Sequence, residues 1–568
     1  MMDVQKLRPF DFYEVTLLPG PVQETARGAM EYYYAIDNDD ILYYVRRDAL
    51  GIDPPGKALG GWYANWKGHV SLGQWITSFC RMFALTGEER FREKAAYLAE
   101  EYWRCFKAAP EKATTPDYHY GFEKELLAFI EYHDYCKVPH ALEYVREFVD
   151  YGISHMPRNF KFGDNSEEWY TLGESLYKAY LLTGDQKILD FAGLWEYTEF
   201  WELFTGGVDP LTRRPDGGWF SEFCHAYSHV NSMNSASMAY TVKGDGKYLD
   251  AATKLWDWMI EKQTFATGGY GPEYEHMMPR ERMAGALQTR HDHFETQCDT
   301  YAVYRLSKYL TSFTGLAKYG DWAELLLYNS TLPMLPMSPE GRIMYYSDYN
   351  TSGAERVNCA DPWTCCTGTR PLLTLEVQRL IYYHDEEGLY ISQYVPSEVC
   401  WRPGHHEVRV VQTTLFPEED YSRFEVKTLN PIELTLHFRI PGWLSDDMTL
   451  TVNGQDLRFE IREGWACVRR VWADGDQVVV RTPLAPRVMP FDKEKGGPCA
   501  LMCGPVALAA KTPGDVNPNT LLDMKTLERD LIPVPGKPLW YTVGDVCFRP
   551  YGTFDEHEKY YLYMDAYL

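Results

Sequence analysis

The chain has 568 residues, too many for one ordinary core, so two or three domains are expected. With 45% hydrophobic and 15% aromatic residues it reads as a folded protein, and no apolar run reaches the roughly 18 residues a membrane helix needs. A net charge of −25, from 81 acidic and 56 basic side chains spread along the chain, excludes nucleic acid as the expected partner.

The start, "MMDVQKLRPFDFYEV", lacks a basic cluster and an apolar stretch, so no signal peptide is read there. Thirteen cysteines are scattered without a regular framework. Together these favour a reducing compartment, and a cytoplasmic location is the expectation.

Helical periodicity dominates the first two-thirds. It runs through 88–106, 176–195 and 247–263. A short mark recurs between such stretches: "LTGEERF" at Leu85, "LTGDQKIL" at Leu182, "VKGDGKYL" at Val242 and "FTGLAKYGDWAE" at Phe313. Its Gly suits the left-handed residue that ends a helix, and the acidic residue suits the start of the next. Repeated helical hairpins of this kind predict an α/α toroid over residues 1–382. After about Tyr382 the period changes to two. "IELTLHFRIPGW" puts Ile432, Leu434, Leu436, Phe438 and Ile440 on one face. A β-sandwich is expected over 383–495 and a further β module over 496–568, giving a multidomain α + β chain.

Three groups of residues carry chemical meaning. Cys365 and Cys366 stand side by side in "DPWTCCTGTRP", and Cys298 opens another helical stretch three residues after Glu295. Two adjacent thiolates, a third thiolate and a carboxylate would complete a tetrahedral zinc site, with Cys359 as a rival ligand; buried free thiols are the alternative. The Gly-rich loop "ATGGYGPEYEHMMP" carries Glu273, Glu275 and His276, and such a loop can seat a carboxylate in a cleft for acid–base work. His69, His225 and His229 stand near likely helix starts, beside an aromatic group that includes Trp62, Trp66 and Tyr170. Aromatic faces stack on sugar rings, and they also build cores.

In order and spacing, five segments resemble the β-L-arabinofuranosidases of glycoside hydrolase families 127 and 146, the latter more closely. They are "GGWYANWKGHVSLGQWITSF", "AYSHVNSMNSASMAYTVKGDGKYL", "TFATGGYGPEYEHM", "ETQCDTYAVYRLSKYL" and "PWTCCTGT". The resemblance implies an (α/α)6 barrel followed by all-β sandwich modules. It implies a retaining glycosidase that uses Zn2+ and acts on an oligosaccharide or glycan carrying a β-linked L-arabinofuranose or similar sugar. Carried onto this chain, it makes Cys365 the nucleophile, Cys366 and Cys298 zinc ligands beside Glu295, and Glu275 the acid/base. His69 and His229 become sugar-binding candidates, with Trp62 and Tyr170 beside them. Three departures stand out. Thr296 occupies the family's ligand Glu position, with Glu295 one residue earlier. Gly173 stands where the family has a His, which leaves Glu174 or a larger substrate to fill the gap. Arg370 replaces a small residue and would favour an acidic or branched sugar. A toroid enzyme of other specificity (a uronyl hydrolase or epimerase) and a non-catalytic carbohydrate-binding relative are the alternatives. A homodimer is left open, and no membrane partner is expected.

Overall fold

The structure, a computed structural model, describes residues 4–114, 119–156, 158, 168–213, 225–291, 293–294, 296–492 and 496–566. Six helices form an inner ring: α1 (Ser71–Thr86), α2 (His119–Asp134), α3 (Gly173–Thr183), α4 (Ala226–Lys243), α5 (Gln297–Thr314) and α6 (Cys365–Glu376). Each packs on the next, and α6 closes the ring against α1. Outer helices lie against them, among them Pro21–Ala35 on α6, Glu89–Ala108 on α1, Ala141–His155 on α2 and Gly246–Lys262 on α4. This is a six-hairpin toroid.

The recurring Gly mark does what its chemistry predicts. Gly87, Gly184, Gly244 and Gly315 end α1, α3, α4 and α5, all in the left-handed region with φ of 67° to 75°. Asp185 and Asp245 then cap the following outer helices by accepting from the backbone N–H of Lys187 and Lys247, each at 3.1 Å. The inner helices run parallel around the ring, so these caps gather at one end of the barrel and the helix N-termini gather at the other.

The barrel interior below that end is polar and paired. Glu174 accepts from Arg305 at 2.5 Å and from Lys178 and Tyr309 at 2.8 Å each. Its carboxyl is held far below the usual range: burial alone would raise it, and the Arg305 and Lys178 charges outweigh that. Deleting one partner leaves a buried cation uncompensated. Glu174→Ala is therefore expected to lose about 3–5 kcal/mol of stability, read as a lower midpoint in urea unfolding.

Two sheets follow the toroid. In the six-stranded sheet Ile432–Arg439 pairs with Trp465–Trp472 along its whole length. In the seven-stranded sheet Tyr421–Thr428 lies between Val408–Thr414 and Gln477–Arg481. Phe424 of one sheet meets Phe438 of the other at 5.0 Å, which makes a sandwich. The alternation read from 432–440 holds only in part. Leu434, Leu436 and Phe438 are buried, but so are His437 and Arg439 on the opposite face. That face meets the barrel, where Arg439 pairs with Asp321 and Glu324 of the outer helix Tyr319–Leu326.

The structure also divides the chain differently from the sequence reading at two places. Arg8–Pro9 and Val15–Leu17 are strands of the two sandwich sheets, pairing with Tyr383–His384 and Ser397–Val399. Pro486–Asp492 pairs with Gly496–Cys503 and belongs to a third sheet, with Val506–Lys511, Val546–Pro550 and Tyr563–Ala566. The N-terminal pairings do not show in local periodicity, because those strands are very short and their partners lie far along the chain, whereas the hairpin of 486–492 with 496–503 lies across the boundary expected at 495. Among the described residues no helix is long and apolar enough to cross a membrane.

Candidate active site

A cavity of about 150 Å³ opens at the end of the barrel where the inner helices begin. Its lining follows the ring. Trp62 and Trp66 precede α1, Tyr120 starts α2, Glu168 precedes α3, His225 and Tyr227 start α4, Cys298 starts α5 and Cys365 starts α6. Glu275 and Tyr345 come from loops. Helix N-termini carry exposed N–H groups and the positive end of the dipole, so this rim favours anionic side chains.

The thiols occupy that rim. Cys365 and Cys366 are the first two residues of α6, after Thr364. Cys298 is the second residue of α5, which Thr296 and Asp299 start with a capping box. The three sulfurs lie within 4.8 Å of one another, with Cys298 and Cys366 3.2 Å apart. Thr369 Oγ1 is 3.1 Å from the Cys298 sulfur and is itself reached by Gln74 Nε2 at 3.1 Å. That approach depends on Gly368, where a Cβ would lie 1.9 Å from Gln74 Oε1. Burial raises the Cys298 thiol, but hydrogen bonds from Cys365, Cys366 and Thr369 outweigh it and bring the group down to about 6. The Cys298 bond pushes Cys365 up, and burial pushes Cys366 up. Three close sulfurs resist ionising together, and a cation among them would offset that cost. Three sulfurs this close form a donor set that suits a thiophilic cation such as zinc. Glu295 lies outside the described residues. Cys359 is not in the cluster; its sulfur faces the Asp361 carbonyl at 3.0 Å.

Glu275 faces the thiols from the Gly-rich loop. Tyr274 and Glu275 both have left-handed backbones, φ 52° and 65°, which non-Gly residues adopt at a cost. The loop is pinned to α4 by the Ala226 N–H, which donates to the Glu275 carbonyl at 2.5 Å. Tyr345 donates to Glu275 Oε1 at 2.6 Å, and its oxygen is 3.1 Å from the Cys365 sulfur. His225 Nε2 lies between two carboxylates, 3.6 Å from Glu168 and 3.7 Å from Glu275. Burial lowers the His225 pKa, but Glu168 and then Glu275 outweigh it and raise it to about 10. Its Nδ1 also stands 3.3 Å from the Ser228 N–H as a helix cap, which demands an unprotonated nitrogen. Ser228 Oγ lies 3.2 Å from the same nitrogen. Burial raises Glu275, and His225 and Tyr345 reverse this to leave it lowered; burial leaves Glu168 raised.

Several residues expected at the sugar stand elsewhere. Tyr170 and His229 lie one layer behind His225. Tyr170 shares a 2.6 Å bond with Ser228 and stacks on Tyr197, and His229 Nδ1 is 2.7 Å from the His225 carbonyl, packed against Phe200. His69 is buried behind Trp66, its Nδ1 3.2 Å from Glu125. Glu174 belongs to the interior ion network and does not fill a gap at Gly173, where a Cβ would already meet Ser235 at 3.1 Å. Arg370 is buried and donates to the Leu335 carbonyl at 2.7 Å, away from the cavity. Trp62 does line the cavity, against Trp66 and Tyr345. Gly61 lets it do so, with φ 55° and a Cβ position 2.0 Å from the Pro362 carbonyl oxygen.

Sequence reasoning passed over Glu168, Tyr120, Tyr227 and Tyr345. The first three carried one usable signal, their place at the start of an inner helix. Tyr345 carried none, since its contacts span 70 and 20 residues.

Comparison with known proteins fits this geometry. The family model described as the GH127 catalytic domain of β-L-arabinofuranosidases matches residues 14–376, and that of the GH127 middle domain matches 388–484. Both models are of family 127, so the nearer tie to family 146 has no support here. A non-reducing end β-L-arabinofuranosidase of Bifidobacterium longum subsp. longum is 21% identical over 303 residues, 48% of this chain and 44% of that protein. The alignment thus spans less than half the length of that curated relative. A solved GH127 β-arabinofuranosidase superposes with a TM-score of 0.74 at 15% identity, covering 100% of this chain and 99% of the other. A GH127 β-L-arabinofuranosidase from Geobacillus stearothermophilus T6 gives 0.72 at 17%, covering 97% and 99%. At these identities the likeness is one of fold.

Proposed function

Because the chain belongs to the GH127 β-L-arabinofuranosidase family, we propose that it is a retaining glycoside hydrolase that releases a β-linked L-arabinofuranose from oligosaccharides or glycans. The observation that carries this reading is three thiols within 4.8 Å of one another, two of which, Cys298 and Cys365, line a cavity together with Glu275. The volume, about 150 Å³, equals about five waters at 30 Å³ each, room for one pentose ring. Trp62 and Trp66 offer aromatic faces to it.

Cys298, Cys365 and Cys366 would hold zinc, which when bound keeps thiols ionised near neutral pH. Most retaining glycosidases use two carboxylates about 5–5.5 Å apart; here a thiolate takes the place of one. The Cys365 sulfur attacks the anomeric carbon while Glu275 delivers a proton to the departing glycosidic oxygen. A water then gives its proton to Glu275 and attacks the same carbon, and the glycosyl–sulfur bond breaks with its electrons returning to Cys365. Tyr345 holds Glu275 by Oε1, and Oε2 faces His225 at 3.7 Å. His225, between Glu168 and Glu275, keeps a positive charge beside the acid and offsets the charge change of each step.

Native mass spectrometry and an assay on aryl β-L-arabinofuranosides test this together. One zinc per chain is expected, lost in Cys298→Ala along with turnover. A wild type that binds no zinc and turns over no β-L-arabinofuranoside would overturn the reading.

A further inference from the structure

Tyr345 faces a second cavity besides the one it shares with Glu275 and Cys365. This second space measures about 600 Å³, against about 150 Å³ for the catalytic cavity. The smaller space takes one sugar ring, so whatever that ring is attached to must lie outside it. The larger space, four times the size and sharing Tyr345 in its lining, is placed to receive it.

Three segments build its wall. Ser338, Glu340 and Arg342 come from the stretch after α5, Asn358 and Ala360 from the stretch before α6, and Glu556 and His557 from the C-terminal β module. The segments are tied to each other rather than loosely apposed. The Asn358 N–H donates to Glu556 Oε1 at 3.0 Å, and the His557 N–H donates to the Arg356 carbonyl at 3.1 Å with His557 at φ 64°. Arg342 is exposed, and its guanidinium forms no ion pair among the described residues. Tyr346 adds an aromatic face, its ring 4.6 Å from that of Tyr345.

We propose that this cavity is the leaving-group subsite, and that it binds a neutral saccharide unit through Arg342, Tyr346 and the C-terminal module's Glu556 and His557. Sugar hydroxyls both donate and accept, so they match a wall that offers a guanidinium, carboxylates and a ring face. Glu340 and Glu556 set two negative charges against one unpaired cation, so a uronate in this position meets net repulsion. The inference rests on the glycosidase reading and adds to it what the released sugar is attached to. It also gives the C-terminal module a part in substrate choice.

The test compares methyl β-L-arabinofuranoside, whose leaving group is one carbon, with a disaccharide in which β-L-arabinofuranose is linked to a neutral sugar. Two variants alter the wall without touching the catalytic cavity. Arg342→Ala removes the donor, and Ala360→Trp fills the space from an exposed position. Each is expected to lose about tenfold or more in kcat/KM on the disaccharide and to stay within about twofold on the methyl glycoside. Equal loss on both substrates, or no loss on the disaccharide, overturns the subsite and leaves the glycosidase reading standing. A wild type that hydrolyses neither compound fails the glycosidase reading itself, and the subsite falls with it.

Discussion

Cys365→Ser is expected to lower turnover on the order of 10⁴-fold or more, the scale set by removing a nucleophile in other covalent catalysts. Position decides which cysteine this is. Cys366 is fully buried and does not line the cavity, and Cys298 is 1% exposed. Cys365 is half-buried, lines the cavity and sits at the first position of α6, where free N–H groups favour the thiolate. A serine there keeps the shape and loses the nucleophile, because an alkoxide is far less available near neutral pH. Cys366→Ser should also lose turnover, but through the metal. Each variant keeps two of the three thiols and is expected to hold zinc less tightly; only Cys365 lines the cavity, so excess zinc is expected to restore turnover in Cys366→Ser and not in Cys365→Ser. Undiminished turnover in Cys365→Ser would remove this residue from the chemistry.

How far the site could be read beforehand depended on whether its signals were local. The Gly87, Gly184, Gly244 and Gly315 marks are local, since a left-handed cap needs one residue type at one place, and they predicted the toroid correctly. The pairing of Cys298 with Cys365 and Cys366 spans 67 and 68 residues, yet it could be inferred because few residue types make a thiolate cluster. The choice between His225 and His229 failed on geometry one helical turn deep. Both lie at the start of α4, but a side chain that caps a helix faces outward from its end, while one turn in it faces the packed layer of Tyr170, Tyr197 and Phe200. Glu174 beside Gly173 carries no local mark of its role, which is electrostatic: it neutralises Arg305, 131 residues away. The N-terminal strands escaped for a different reason. Two and three residues carry no periodicity, and their pairing energy comes wholly from sheets formed some 380 residues later in the chain.

Glu275→Gln separates the two halves of the reaction. The amide keeps an acceptor for Tyr345 but carries no proton to give and no charge to take one. On a substrate with a poor leaving group, such as a linked sugar, turnover is expected to fall by about 10²–10⁴-fold, the range general acid catalysis supplies. On an activated aryl glycoside the first step needs no acid, so Cys365 is still glycosylated. The second step needs a base for water and stalls. The variant should therefore accumulate an adduct of one anhydropentose on the peptide that contains Cys365, visible by mass spectrometry. Azide, which needs no base, should speed its loss and give a β-configured glycosyl azide. The pH profile follows from the same role. Wild-type turnover falls as pH rises through the Glu275 pKa, because the acid must be protonated; burial raises that pKa, and His225 and Tyr345 hold it lowered. With glutamine in place this limb disappears. An adduct that forms on another residue, or a variant equally slow on activated and unactivated substrates with no adduct and no azide effect, would take the acid/base role away from Glu275. The half-buried carboxylate of Glu168 would then be the next group to test, since it borders the same cavity and desolvation raises its proton affinity.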